Sequence, residues 1–86
     1  MKVEVSLFGA FRGHEPGDRV ALTLPEGARV AELREALTQH AQVHWPAAGS
    51  ALLKYSAFAS QSDVLREADA LPADGQMAVL PPVSGG

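Results

Sequence analysis

Residues 76–86, Gln76-Met77-Ala78-Val79-Leu80-Pro81-Pro82-Val83-Ser84-Gly85-Gly86, divide into a strand and an arm. Met77, Val79 and Leu80 give the first half the apolar content of a β-strand. Pro81 and Pro82 stop it, because proline has no N–H for a ladder and holds φ near −65°. A double proline favours an extended, polyproline-like exit over a turn back onto the surface. Val83 and Ser84 are small, and Gly85 and Gly86 carry no side chain. From Pro81 onward the chain spans about 20 Å when extended. The expectation is a thin arm with a free carboxylate at its tip, mounted on the last strand of a sheet.

The rest of the chain supplies that sheet. Lys2 to Phe8 alternates, with Val3, Val5 and Leu7 on one face and Lys2, Glu4, Ser6 and Phe8 on the other. Gly9 to Asp18 (GAFRGHEPGD) is turn chemistry. Arg19 to Leu24 alternates again, directing Val20, Leu22 and Leu24 inward, so the two strands form a hairpin with a long loop. A helix is expected from about Arg29 to Ala41, because Val30, Leu33, Ala36, Leu37 and Ala41 make one apolar stripe, with Arg29, Glu32, Arg34, Glu35 and Gln39 on the wet side. Arg29 stands where Ser, Thr or Asp would cap, which predicts a helix start poorly served by side chains. Val43 to Ser50 reads as a connector anchored by a buried Trp45. Leu52 to Ala59 reads as a third strand and Asp63-Val64-Leu65 as a short edge piece. Asp69 to Gly75 is turn-like and leads into the last strand.

The order β-β-α-β-(β)-β predicts an α+β two-layer sandwich, one main helix covering a mixed sheet of four to five strands. The first and last strands are expected side by side in the centre and parallel, with the helix in the crossover that such a pair needs. Residues 1–80 form this domain and residues 81–86 the tail.

Composition removes several functions. A chain of 86 residues suits one domain. A net charge of −3 argues against a nucleic-acid partner. Cysteine is absent, so disulfides, thiolate metal sites and a side-chain sulfur nucleophile are excluded. No apolar run is long enough to span a bilayer, and Met1-Lys2-Val3-Glu4 enters a strand without a signal-peptide layout. The expectation is a cytoplasmic protein with no membrane partner.

Side chains offer little chemistry. His14, His40 and His44 lack further ligands at a metal-like spacing and read as surface or capping residues, with no metal expected. Ser6, Ser50, Ser56, Ser60 and Ser62 have no recognisable base. GAFRGHEPGD is no phosphate loop, because no Gly-Lys-Ser/Thr follows. Asp63, Glu67, Asp69 and Asp74 read as a solvated acidic edge suited to docking on a basic partner. If Met77 and Val79 face inward, Ala78 and Leu80 face outward with Phe8 beside them, which marks these three as a partner surface.

The element order and the closing MAVLPPVSGG resemble the small, sulfur-carrying subunit of molybdopterin synthase, a family of β-grasp, ubiquitin-like sulfur carriers. The segment VAELREAL over the helix is also similar to that family. The resemblance implies a non-catalytic subunit with no permanently bound cofactor. An E1-like enzyme would adenylate the Gly86 carboxylate with ATP, and sulfur from a sulfurtransferase would replace AMP to give a thiocarboxylate. The large synthase subunit, which holds the active site, would receive Pro81, Pro82, Val83, Ser84 and Gly85 as a threaded tail and pass the sulfur to a pterin precursor. One departure stands in the third strand, where Ala57-Phe58-Ala59-Ser60 replaces the Val-Asn type stretch common among relatives. Three alternatives remain at this point: the carrier of thiamine thiazole synthesis, a ubiquitin-like modifier joined through Gly86, and an interaction domain whose diglycine is idle.

Overall fold

Alternation decides the first hairpin. In the computed structural model, which describes residues 1–82, β1 (Lys2–Leu7) buries Val3, Val5 and Leu7 and pairs antiparallel with β2 (Arg19–Thr23), Val5 opposite Val20. Leu24 is buried as expected, whereas Leu22 is only half-buried on this edge strand. The parallel partner of β1 is β5 (Gln76–Leu80), with Val5 opposite Met77 and Leu7 opposite Val79. The full order is β2-β1-β5-β3-β4, so the first and last strands share the centre as expected. This mixed five-stranded sheet with one main helix is the β-grasp, ubiquitin-like architecture.

Helix α1 (Val30–His44) buries Val30, Leu33, Leu37 and Ala41 against the sheet, with Ala36 half-buried. It runs a turn beyond Ala41, because Trp45 donates its backbone N–H to the carbonyl of Ala41 and closes the last turn. The start is better served than the sequence implied. Arg29 has only donors on its side chain and cannot cap, but the Glu32 carboxylate accepts the Arg29 N–H at 2.8 Å. The N–H groups of Val30 and Ala31 donate to the carbonyls of Asp69 and Glu67, and Arg29 Nη1 donates to Ala68. A distant loop, not a local side chain, satisfies most of the helix start.

The expected third strand from Leu52 is corrected to β3 (Ala57–Ala59), three residues paired with β5 and β4 (Val64–Leu65). Residues 47–55 are helical instead: α2 (Ala47–Leu52), followed by a 3-10 turn, Leu53–Tyr55. Pro46 sets the entry, and Ala47, Ala48 and Ala51 are strong helix formers, which outweighs the short apolar pattern. Leu53 of that turn is fully buried.

Arg34, assigned to the wet side of α1 by periodicity, is half-buried. It forms an ion pair with Glu67, donates to the Leu53 carbonyl at 2.6 Å and to Ser56 Oγ at 3.3 Å, and stacks 4.9 Å from the Phe58 ring centre. The guanidinium fork joins α1, the 3-10 turn, β3 and the segment after β4. Among the described residues no helix is long and apolar enough to cross a membrane.

Candidate functional site

The parallel β1–β5 pair places Ser6 opposite Ala78 on the outer face of the sheet, away from α1. Phe8 follows β1 in extended conformation and is 46% exposed. It borders two shallow depressions. One, of about 260 Å³, is lined by Ser6, Phe8, Ser60, Gln61, Gln76 and Ala78 among others. The other, also about 260 Å³, is lined by Ser6, Phe8, Arg12, Asp18 and Arg19 among others. Phe8 and Ala78 therefore share one concave surface. Leu80 lines neither depression and is half-buried opposite Ala57.

Charge on the second depression is paired. Arg12 bonds Asp18 at 3.2 Å and Arg19 bonds Glu4 at 3.3 Å. The Gly13 N–H donates to Asp18 Oδ1 at 2.8 Å, and this bond, then Arg12, holds the Asp18 carboxyl below the usual aspartate value. Asp18 takes a left-handed φ of 54°, tolerated by a short polar side chain.

The tail begins at this end of the sheet. Pro81 is half-buried and Pro82 exposed, both past the last strand residue, Leu80. Pro81 meets Gly9, the first residue after Phe8: a Cβ on Gly9 would lie 2.7 Å from Cγ of Pro81. Val83, Ser84, Gly85 and Gly86, four of the expected tail residues, lie outside the described residues.

The histidines form a structural cluster at the end of α1. His40 Nε2 lies 2.7 Å from Glu15, His40 and His44 have ring centres 4.4 Å apart, and His14 stacks on Trp45 at 5.1 Å. Among the described residues no group of three or more His, Cys, Asp or Glu is placed to hold a metal ion. The acidic edge is partly engaged within the chain. Glu67 pairs with Arg34, Asp69 accepts the Arg66 N–H, and Asp74 accepts the Gln76 N–H, whereas Asp63, Glu67 and Asp74 stay exposed.

Three residues escaped the sequence reading: Gly9, Phe11 and Glu15. All lie in a loop read only as turn chemistry. Phe11 is fully buried against Trp45, with ring centres 6.0 Å apart. A lone aromatic in a glycine-rich loop was the available signal. For Gly9 and Glu15 the partners lie too far along the chain for any local pattern to show them.

A family model described as the ThiS family matches residues 5–86. Among solved structures, SAMP1 from Haloferax volcanii is similar, with a TM-score of 0.70 at 19% identity over 100% of this chain and 100% of that chain. At that identity the likeness carries the fold alone. No curated protein matches the chain.

Proposed function

The chain belongs to the ThiS family of ubiquitin-like sulfur carriers, and from that premise we propose that it carries sulfur at Gly86 for the assembly of molybdopterin. Carriers of this family are non-catalytic and work with E1-like activating enzymes and sulfur acceptors. One observation supports the reading most: the central strand β5 delivers the chain at Pro81-Pro82 beside the open face bordered by Phe8 and Ala78.

The chemistry follows from the group carried. An α-carboxylate has a pKa of about 3.5 and is ionised at neutral pH, so it attacks the α-phosphorus of ATP and expels pyrophosphate. The acyl adenylate is then open to a sulfur nucleophile, which displaces AMP and leaves a thiocarboxylate. Gly85 and Gly86 have no Cβ to clash in a narrow channel. Pro81-Pro82 before Val83-Ser84 favours the molybdenum pathway, with the large synthase subunit as acceptor, over thiazole synthesis.

Intact mass of the protein from its native host tests the reading. The expected species is heavier by one oxygen-to-sulfur exchange located at Gly86, and is consumed by the large synthase subunit with its precursor. Consumption by a thiazole synthase instead would move the protein to the thiamine pathway. Adducts joining Gly86 to protein lysines would replace the carrier role with a modifier role. An unmodified chain, even with ATP and an activating enzyme, would end the proposal.

A further inference from the structure

Positive φ angles occur at several glycines, but they are not equivalent. Gly13 and Gly17 sit at φ +90° and +66° with nothing among the described residues within 4 Å of a notional Cβ. Turn geometry alone accounts for them. Gly9 differs. Its φ is +57°, and a Cβ would come to 2.7 Å from Cγ and 3.3 Å from Cδ of Pro81. Carbon atoms pack at about 3.5–4.0 Å, so any side chain there displaces the proline ring.

Both sides of this contact are stiff. Gly9 opens the 3-10 turn Gly9–Phe11, closed by Phe11 N–H to Phe8 O and Arg12 N–H to Gly9 O, each 3.1 Å. Fully buried Phe11 pins that turn to the core. Pro81 has a ring that cannot swing aside and a φ fixed near −65°. The contact also falls at a sensitive point, between the last paired residue, Leu80, and exposed Pro82.

We infer that Gly9 is a positioning residue for activation: through the Pro81 ring it sets the direction in which the tail leaves the sheet. This rests on the sulfur-carrier reading. A tilt of about 10° at Pro81, carried along an arm extended for about 20 Å in an acceptor channel, displaces the carboxylate by about 3 Å. Displacements of about 1 Å are enough to cost a reaction about a hundredfold. The docking face around Phe8 is unaffected by such a tilt, so the effect falls on kcat rather than KM.

The experiment is ATP–pyrophosphate exchange by the E1-like activating enzyme on the full chain, with thermal melting of each variant. Gly9→Asn keeps the left-handed backbone accessible, because asparagine tolerates it, while adding the clashing Cβ. Expected is a kcat loss of about a hundredfold or more with KM within about twofold of wild type. Pro81→Ala removes the ring and with it the seat, and is expected to lower kcat about threefold. The double variant should match Pro81→Ala alone, because the clash has lost its target.

A wild-type kcat for Gly9→Asn, a loss confined to KM, or a double variant showing the product of the two losses would each overturn the inference. Should Gly9→Asn melt below the assay temperature, Pro81→Ala decides: an unchanged kcat overturns the inference, and a lowered kcat at unchanged KM supports it. If the wild type itself supports no exchange, the carrier reading falls and Gly9 has no role in activation. The seat is then judged by nuclear Overhauser contacts between Gly9 Hα and the Pro81 ring, whose absence overturns it as well.

Discussion

The indole N–H of Trp45 donates a 2.7 Å hydrogen bond to Oε2 of Glu15, the same oxygen that lies 2.7 Å from Nε2 of His40. This shared carboxylate oxygen fastens the β1–β2 loop to the C-terminal end of α1. Buried Phe11 fastens the same loop at its other end. A segment that reads in sequence only as turn chemistry is therefore tied down twice. Trp45→Phe keeps most of the ring packing but removes the donor. It should cost about 1–3 kcal/mol, the worth of a hydrogen bond to a charged group, read as a lower urea midpoint at unchanged slope.

Glu15 also gives stability a pH dependence. Burial pulls its pKa up, but hydrogen bonds from Trp45 and His40, with the charges of His40 and His44, outweigh that and leave the pKa lowered. A carboxylate with a lowered folded pKa contributes stability that is present above its unfolded value, 4.5. That contribution is lost as pH falls through the folded pKa. Trp45 is the sole tryptophan, so its fluorescence reports on this corner. Melting followed by that signal should fall as pH drops below about 4.5. Glu15→Gln should flatten the fall in that window, and an unchanged slope would exclude Glu15 as its source.

Arg34 binds four parts of the fold through one planar group. Its ion pair with half-exposed Glu67 is worth little by itself, because solvent screens it. The bonds to the Leu53 carbonyl and Ser56, in a partly buried setting, matter more. Arg34→Ala is expected to destabilise by about 1–3 kcal/mol, measured by urea unfolding. Arg34→Lys should recover only a part, since an ammonium lacks the fork and stacks poorly on Phe58. Glu67→Ala alone should change stability by less than about 1 kcal/mol.

How far these features were legible depends on their range along the chain. Periodicity within six residues placed Val3, Val5 and Leu7 inward, and the 3.6-residue stripe placed Val30, Leu33, Leu37 and Ala41. The proline pair ended β5 where it was expected to. The errors came where local signals competed or where partners were distant. Leu52 to Ala59 had an apolar run fit for a strand, but three alanines after Pro46 turned its first half helical. Arg34 followed the helical wet-side pattern while its partners, Leu53, Ser56 and Glu67, lay 19 to 33 residues away. Gly9 and Pro81 are neighbours only because β1 and β5 pair in parallel. No window of sequence contains that contact.

The shared surface of Phe8 and Ala78 predicts how an activating enzyme docks. Phe8 is exposed, so Phe8→Ala should leave the melting temperature close to wild type. It should weaken binding to the activating enzyme about fivefold to tenfold, measured by isothermal titration. Ala78→Asp puts a charge into the same depression and should weaken binding further. Leu80 lines neither depression, so Leu80→Ala should affect stability more than binding. Equal binding losses at Leu80 and Phe8 would extend the interface beyond the depressions to Leu80, which the parallel register sets level with Phe8.

Gly86→Ala separates the fold from the chemistry. Residues 1–80 contain the whole sheet and α1, so a methyl group at Gly86 adds nothing to that core and the melting temperature should not change. If the tail threads a channel shaped for a backbone without side chains, that methyl group has no room, and activation should fall by about tenfold or more. The measurement is paired, thermal melting beside ATP–pyrophosphate exchange on the same preparation. Equal losses in both would mean that Gly86 supports the fold, and the carrier reading would lose its reactive group. Full activity in the variant would show that the activating enzyme does not read the terminal residue by its size, and the case for a threaded tail would fall with it.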